Sequence, residues 1–419
     1  MYVDRIELRN VRTFASDEVT FIHPETDFDA ARDESGKTPR LRNVNLLLGD
    51  NGSGKTTVLR AIAASCFGPA ARDVLRDGSL IRFGTEHALI TTSLRLHAQD
   101  CPEAGNGLLA LSIERRGERL KVEDEWARAE DDSQMSRADY ESVWAPVFQS
   151  DNDAFFVVGY GATRRVERLD TYDSGARTKA RAARDLRIQS LFEDAFSLIP
   201  LASWLPRLRD KEKDRFEEVK HILNDLLKPT GLSFIGDQDD RGDYFYWRGD
   251  MPVPFQSLSD GYRAFIGWVA DLLYHLWSGC RPGRALHEMQ GIVLVDEIDL
   301  HLHPAWQQKV VESVARAFPK MQFILTSHSP LIAASLERVN VTRIKLGRQN
   351  RSTVKRLEQS IYGLDSDQIL LSELFGLKST RAPAKRRQLD ELTVKARGGD
   401  DAAAKELVRQ LAIGMEDAE

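Results

Sequence analysis

Apolar and polar positions along the chain follow distinct rhythms, and each predicts an element. The opening stretch MYVDRIELRNVRTF (residues 1–14) alternates and carries charge, which predicts a strand. Residues 86–126 alternate again in HALITTSLRLH, GLLALSIERRG and RLKVEDEW, the pattern of antiparallel strands forming a β subdomain. Three runs are predominantly apolar: VNLLL before Gly49, GIVLV before Asp296 and QFIL before Thr326. Continuous runs of that length predict strands buried on both faces, as in a parallel sheet. In KDRFEEVKHILNDLLK (213–228), Phe216, Val219, Ile222, Leu223, Leu226 and Leu227 fall on one helical face. The helical pattern spans about Arg165 to Lys228, far too short for a long coiled coil, and predicts a compact insert. QILLSELFGL and AKELVRQLA in the tail are helical and amphipathic, whereas the acidic EDEWARAEDDSQ (123–134) reads as a solvated loop. The expected architecture is α/β, with a mixed sheet core, an antiparallel β subdomain and a short helical insert.

Composition alters this picture little. The 419 residues suffice for two or three compact units, and 42% hydrophobic with 29% charged residues is ordinary for a globular chain. A formal charge of −6 makes no demand for nucleic acid, although local basic clusters occur. Arg164–Arg187 holds eight Lys/Arg against four acids, Arg338–Arg356 holds seven and no acid, and a third cluster surrounds Lys378–Arg397. Cys66, Cys101 and Cys280 are scattered without CxxC spacing, which suits a reducing compartment and argues against a disulfide frame or structural zinc. With no signal peptide and no apolar window long enough for a bilayer, a cytoplasmic protein without membrane contact is expected.

The chemistry lies where the buried runs end. Gly49-Asp50-Asn51-Gly52-Ser53-Gly54-Lys55-Thr56 matches GxxxxGK[ST] between a predicted strand and the helix-forming TVLRAIAAS. Glycines there let backbone N–H groups face phosphates, Lys55 reaches the β and γ phosphates, and the Thr56 hydroxyl can ligate Mg²⁺. A phosphate loop also needs an acid on a neighbouring buried strand. GIVLVDE supplies Asp296 for the metal shell and Glu297 to polarise an attacking water. Two adjacent carboxylates ending a buried strand are costly unless a cation or a proton transfer holds them there. A metal site using His301 and His303 is the rival reading, but no cysteine or third histidine lies nearby, and packing in the turn accounts for both. Asp299 is close enough in sequence to line the same edge. Ser259, Asp260 and Gly261 begin a long apolar helix, a second anion-facing helix terminus with Ser259 as a cap. QFILTSHSP ends in Ser327-His328-Ser329, 32 residues after Asp296 and past one helix, which predicts the next parallel strand of a βαβ unit.

As an ordered set, GDNGSGKTT, LSDGYR, IVLVDEIDLHLHP and TSHSP resemble the ABC-type ATPases of the SMC/RecF/OLD class. The resemblance is nearest to the bacterial "AAA family" ATP-binding proteins of antiphage defence systems, such as Septu and the retron- and PARIS-associated ATPases. It covers roughly residues 1–70 and 250–335 and implies the P-loop NTPase fold of an ABC-type head. By resemblance, Gly49 to Thr57 form the Walker A loop binding ATP, Asp296 and Glu297 are the Walker B acid and catalytic base, and His328 is the switch histidine. Lys55, Glu297 and His328 are then the catalytic set, and Thr56 with Asp296 the Mg²⁺ ligands. Arg12 corresponds to a nucleotide contact near the base or α-phosphate. Asp299 resembles the D-loop acid, and Ser259 and Gly261 the signature motif, which contact ATP bound by the opposite subunit. The chain departs from LSGGQ at Asp260 and Tyr262. FFVVGYGATRRV (155–166) stands at the Q-loop without its glutamine, leaving Tyr160, Thr163 and Arg164 as candidates for sensing Mg²⁺.

The implied organisation is 1–164 as the N-terminal part of the head and 165–250 as the insert. Residues 251–350 then form the C-terminal part of the head, and 351–419 a helical tail. The implied function is Mg-dependent ATP hydrolysis by a head that forms an ATP-dependent homodimer, with higher oligomers open. The head would regulate an effector subunit, a nuclease being the expected one, with nucleic acid a further conceivable partner. Three rivals stand beside it: a RecF-like DNA repair ATPase, a transporter motor and a non-hydrolysing ATP-binding scaffold.

Overall fold

A computed structural model describes residues 1–28, 39–67, 75, 80–95, 106–116, 119–128, 155–166, 186–280, 283–358 and 360–412. Contacts divide the chain into two compact units, Met1–Gly363 and Leu364–Glu419.

The larger unit is built on two sheets with a helix between them. β1 (Tyr2–Val11), β2 (Phe14–Thr20), β4 (His87–Arg95), β5 (Asn106–Arg116) and β6 (Arg119–Arg128) form an antiparallel sheet in the order β2-β1-β4-β5-β6. β3 (Val44–Leu48), β7 (Val157–Tyr160), β12 (Gly291–Val295), β13 (Met321–Ser327), β14 (Val341–Leu346) and β15 (Ser352–Arg356) form a mixed sheet. Its order is β15-β14-β3-β13-β12-β7, parallel throughout except at the β14–β15 edge. Every residue of β3, β12 and β13 is buried, as their mostly apolar sequences require, with Asn45 and Gln322 buried on hydrogen bonds to the main chain. Helix α1 (Lys55–Phe67) packs against both sheets and is buried on nearly all sides, so its apolar residues surround it instead of forming a stripe. Its Leu59, Ile62 and Ala63 join Ile6 and Leu8 of one sheet and Leu294 and Ile324 of the other in a single core.

The expected insert, 165–250, is described at residues 165–166 and 186–250. β8 (Arg165–Val166) pairs in parallel with β9 (Ser197–Leu198), and α2 (Leu186–Gln189), α3 (Leu205–Lys211) and α4 (Lys213–Leu227) are its α-helices among the described residues. The six apolar residues expected on one face of α4 are its buried set. β10 (Phe245–Arg248) and β11 (Met251–Pro254) form a hairpin before α5 (Asp260–Gly279). α6 (Pro304–Ala317) then links β12 to β13, the expected βαβ unit, and α7 (Pro330–Ala334) follows β13. The strand read in RLKVEDEW, with Asp124, Glu125 and Trp126 in register with Leu111, Ala110 and Leu109, continues through Arg128 into the stretch whose acidic pattern read as a loop. Its remainder, 129–134, lies outside the described residues, as do 167–185 of the first basic cluster.

The smaller unit holds α8 (Ser366–Leu371), α9 (Pro383–Arg397) and α10 (Asp401–Ala412), with α9 and α10 packed together. No helix among the described residues is long and apolar enough to cross a membrane.

Candidate functional site: a phosphate-binding loop facing a carboxylate pair

The carboxyl ends of β3, β13, β12 and β7 open on one crevice, and the loops leaving them carry the expected chemistry. The loop from Gly49 to Gly54 wraps into α1 and is clamped from behind by the β14–β15 hairpin. Ser352 Oγ donates to the Ser53 carbonyl at 2.7 Å. A Cβ on Gly49 would stand 2.0 Å from the Ile344 carbonyl oxygen, so only glycine fits there. Gly54, at φ 102°, lies so close to Phe14 that a Cβ would meet its ring at 2.6 Å. The Lys55 ammonium folds back on the loop and donates to the carbonyls of Gly49 (2.9 Å) and Asp50 (3.1 Å). Burial pushes its pKa below the ordinary lysine range, against the pull of Asp296, Glu297, Asp50 and Asp299.

The acidic strand is not the immediate neighbour of β3, because β13 runs between them. Asp296 spans that gap. Its Oδ1 accepts from Thr326 Oγ1 of β13 at 2.6 Å, and its Oδ2 accepts from Thr56 Oγ1 at the start of α1 at 2.8 Å. Thr326 Oγ1 also accepts from the Glu297 amide at 2.7 Å. Pattern reading singled out the histidine two positions later and passed over this threonine, although a hydroxyl closing an apolar strand was the available signal. Glu297 itself is left-handed, at φ 48°, a conformation costing a non-glycine residue about 1–3 kcal/mol that packing must offset.

Arg164 holds that backbone from the far side. Its guanidinium is buried and donates to the carbonyl oxygens of both Asp296 (3.2 Å) and Glu297. Burial brings its pKa down to about 10, opposed by Asp296, Asp299 and Glu297, so it stays charged at neutral pH. Of the three Q-loop candidates, Arg164 alone is held against the acids. Tyr160 is turned into the core, its hydroxyl donating to Asp271 Oδ2 at 3.0 Å, and Thr163 is exposed. Tyr160 is not positioned as the sequence proposed, because β7 delivers it behind the sheet edge against α5.

Arg12, Thr13, Asn51, Gly52, Gly54, Lys55, Thr56, Thr57, Glu297 and His328 line one open cleft. Burial and the nearby Lys55 cation lower the pKa of the half-buried His328 below the usual imidazole range, opposed by Asp299, Glu297 and Asp296, and leave it neutral at pH 7. Ser259, Gly261 and Asp299 are not among the described residues that line this cleft. Ser259 is the exposed N-cap of α5 but makes no capping bond with its side chain, contrary to the donor role expected of it. Gly261 packs on the turn after β12, where a Cβ would meet the His301 carbonyl at 2.1 Å. His303 Nδ1 accepts from the Ala305 amide to cap α6, the structural role preferred for it, and no group of three metal-ligating side chains occurs among the described residues.

A hydroxyl and a carboxylate in contact are a donor set for a hard cation that keeps most of its waters, as Mg²⁺ does. Among the described residues, Asp299 Oδ1, Arg164 Nε and Ser53 Oγ, on the loops that follow β12, β7 and β3, are buried without hydrogen-bond partners. The donor set therefore fits Mg²⁺.

The pattern of the family described as "AAA domain, putative AbiEii toxin, Type IV TA system" matches residues 44–334, from β3 through α7. The chain belongs to that family. It is 26% identical over 381 residues to the Septu protein PtuA of Bacillus mycoides (strain KBAB4), covering 90% of this chain and 45% of that protein. It is 59% identical over 80 residues to the "Retron Vc95 probable ATPase" of Vibrio cholerae serotype O1 biovar El Tor, covering 19% of this chain and 16% of that one. The chain thus spans less than half the length of these curated relatives. The SMC head domain from Thermotoga maritima aligns over 86% of this chain and all of its own, with 12% identity and a TM-score of 0.47. The family and the two-sheet architecture agree with the P-loop α/β fold expected of the sequence.

Proposed function

We propose that the chain binds and hydrolyses Mg-ATP as one head of an ATP-dependent dimer, and that this cycle controls a separate effector. The observation that carries the reading is the 2.8 Å contact between Thr56 and Asp296, 240 residues apart, beside a lysine held by its own loop carbonyls. Thr56 and Asp296 would hold Mg²⁺, which supplies charge neutralisation at the β and γ phosphate oxygens. Lys55 exchanges the Gly49 and Asp50 carbonyls for phosphate oxygens, and Gly49 to Thr57 direct backbone N–H groups at the same anion. Glu297 holds the attacking water in line, oriented by Thr326 and Arg164 through its main chain. His328, neutral, faces the γ-phosphate, and Arg12 lies beside the nucleoside end of the cleft. Ser259, Gly261 and Asp299, outside their own chain's cleft, are assigned to nucleotide bound by a second copy. Hydrolysis then removes contacts that hold two heads together.

Similarity to a Septu protein and to retron-associated probable ATPases supports a role in antiphage defence, with a nuclease the effector expected. Phosphate release measured for the wild type, Lys55→Ala and Glu297→Gln tests the assignment. Release is expected in the wild type alone, and equal rates from all three would sink it. Size-exclusion mass of Glu297→Gln is expected to double with Mg-ATP; an unchanged mass would remove the dimer from the proposal.

A further inference from the structure

The start of α5 and the turn carrying Asp299, both assigned to a second copy's nucleotide, meet adjacent residues of α6. Trp306, buried, packs its ring on Tyr262 and Phe265 of α5, with centroids 5.1 and 4.5 Å apart. Gln307, half-buried, donates from Nε2 to the carbonyls of Leu302 (3.0 Å) and Asp299 (3.4 Å) in the turn after β12. Its Oε1 accepts from Ser329 Oγ at 2.7 Å. Ser329 directly follows His328, which lines the cleft. One side chain thus joins the Asp299 turn to the corner that carries His328.

Chemistry sets the direction of every bond in this chain. Carbonyl oxygens only accept, so the Gln307 amide turns its NH2 to the two of them and its oxygen to Ser329. The Ser329 hydroxyl gives its one proton to Gln307 and accepts from the amides of Leu331 (3.2 Å) and Ile332 (3.3 Å), capping α7. The Ser329 amide donates in turn to Ser327 Oγ at 2.8 Å, on the other side of His328. His328 is therefore flanked by two serines that hydrogen bonds hold, and one of those bonds leads out to the Asp299 turn. Closing the turn after β12 would need the Leu302 bond alone; the bond to Ser329 serves a different element.

We infer that Gln307 is a positioning residue that sets His328 according to where the Asp299 turn and the α5 terminus stand. Nucleotide bound by a second copy, meeting those two features, then governs hydrolysis in this chain's own cleft. Two identical heads exchange the same contacts, so the link runs both ways and each cleft answers to the filling of the other. Gln307 is not among the described residues that line the cleft, and it acts through Ser329. This link rests on the reading of a two-headed ATPase and adds the residue that joins its two clefts.

Steady-state kinetics of the full chain test it. Gln307→Glu keeps an acceptor for Ser329 but sets a carboxylate oxygen against the two turn carbonyls, and Gln307→Met removes both ends. Each is expected to lower kcat by about tenfold with KM for ATP little changed, as a small misplacement of a catalytic group does. Glu297→Gln/Gln307→Met is expected to double in mass with Mg-ATP, as Glu297→Gln alone does. Combining Gln307→Glu with Gly261→Ala, which pushes on the same turn at His301, is expected to lower kcat no further than the larger single loss. Where Gln307→Met melts earlier than the wild type, Ser329→Ala and Ser329→Thr decide: threonine keeps the hydroxyl and the wild-type kcat, and alanine loses it. Unchanged kcat in Gln307→Glu, equal kcat in the two Ser329 variants, or full multiplication of the losses with Gly261→Ala overturns the link. A KM rise with kcat intact, or loss of the mass doubling, also overturns it, by making Gln307 part of the cleft or of the interface. A wild type that releases no phosphate, or Glu297→Gln that keeps its mass with Mg-ATP, overturns the two-headed reading first and this link with it.

Discussion

Arg164 is a buried cation whose partners are two carbonyl oxygens, and that choice of partner identifies its work. A guanidinium placed against Asp296 O and Glu297 O fixes main chain, not metal. Its removal should let the left-handed Glu297 relax, and a displacement near 1 Å at a catalytic group costs on the order of 100-fold in rate. Steady-state kinetics of Arg164→Ala are expected to show kcat falling by about that factor with KM for ATP little changed. A KM rise with kcat intact would assign Arg164 to ground-state binding instead. Gly49–Thr57 and Asp296–Glu297 stood out in the sequence because the phosphate wrapping and metal binding proposed for them would demand fixed residue types at fixed spacing. The sequence concealed Thr326 and Ser352, which act through single hydrogen bonds that many polar residues could make. A second residue-scale consequence concerns Cys66, inside α1 between the sheets. Burial pushes its thiol up to about 12, so at pH 8 almost no thiolate exists and no reagent reaches it. Alkylation followed by mass spectrometry should leave Cys66 unmodified in the native protein and modify it fully once the chain is unfolded.

Elements were legible where burial is two-sided. β3, β12 and β13 have no solvent face, so their sequences leave no alternative to a strand of a covered sheet. β6 was not legible past Trp126 because it is an edge strand, whose open side tolerates the charges that signal a loop elsewhere. α4 revealed its buried face residue by residue, since an amphipathic helix on a surface has one apolar stripe. The beginning of α5 carries a further consequence. Gly261 is in near contact with the His301 carbonyl, a backbone group that cannot swing aside. Gly261→Ala must therefore move the first turn of α5 away from the turn that follows the carboxylate pair, at a cost of about 1–3 kcal/mol. Since Gly261 does not line its own chain's cleft, ATP affinity measured by calorimetry should hold, while turnover falls at least tenfold. Loss of affinity in proportion to turnover would bring the α5 terminus into the cleft of its own chain.

At the scale of the molecule, every residue assigned to nucleotide, from Arg12 to His328, belongs to the unit Met1–Gly363, and so does the continuous core between the two sheets. Leu364–Glu419 contributes its own helices, with Val394 and Val408 exposed, and none of the described residues that line the cleft. A ligand that binds only the folded state adds stability by mass action, about 2.7 kcal/mol when its concentration is a hundred times Kd. Calorimetric melting with and without Mg-ATP thus reports which unit carries the site. Residues 1–363 expressed alone should melt later with Mg-ATP by the same margin as the full chain, and Lys55→Ala in either form should show no shift. If the shorter chain folds yet loses the shift, the tail completes the nucleotide site. If both forms shift alike, the nucleotide site is complete within Met1–Gly363.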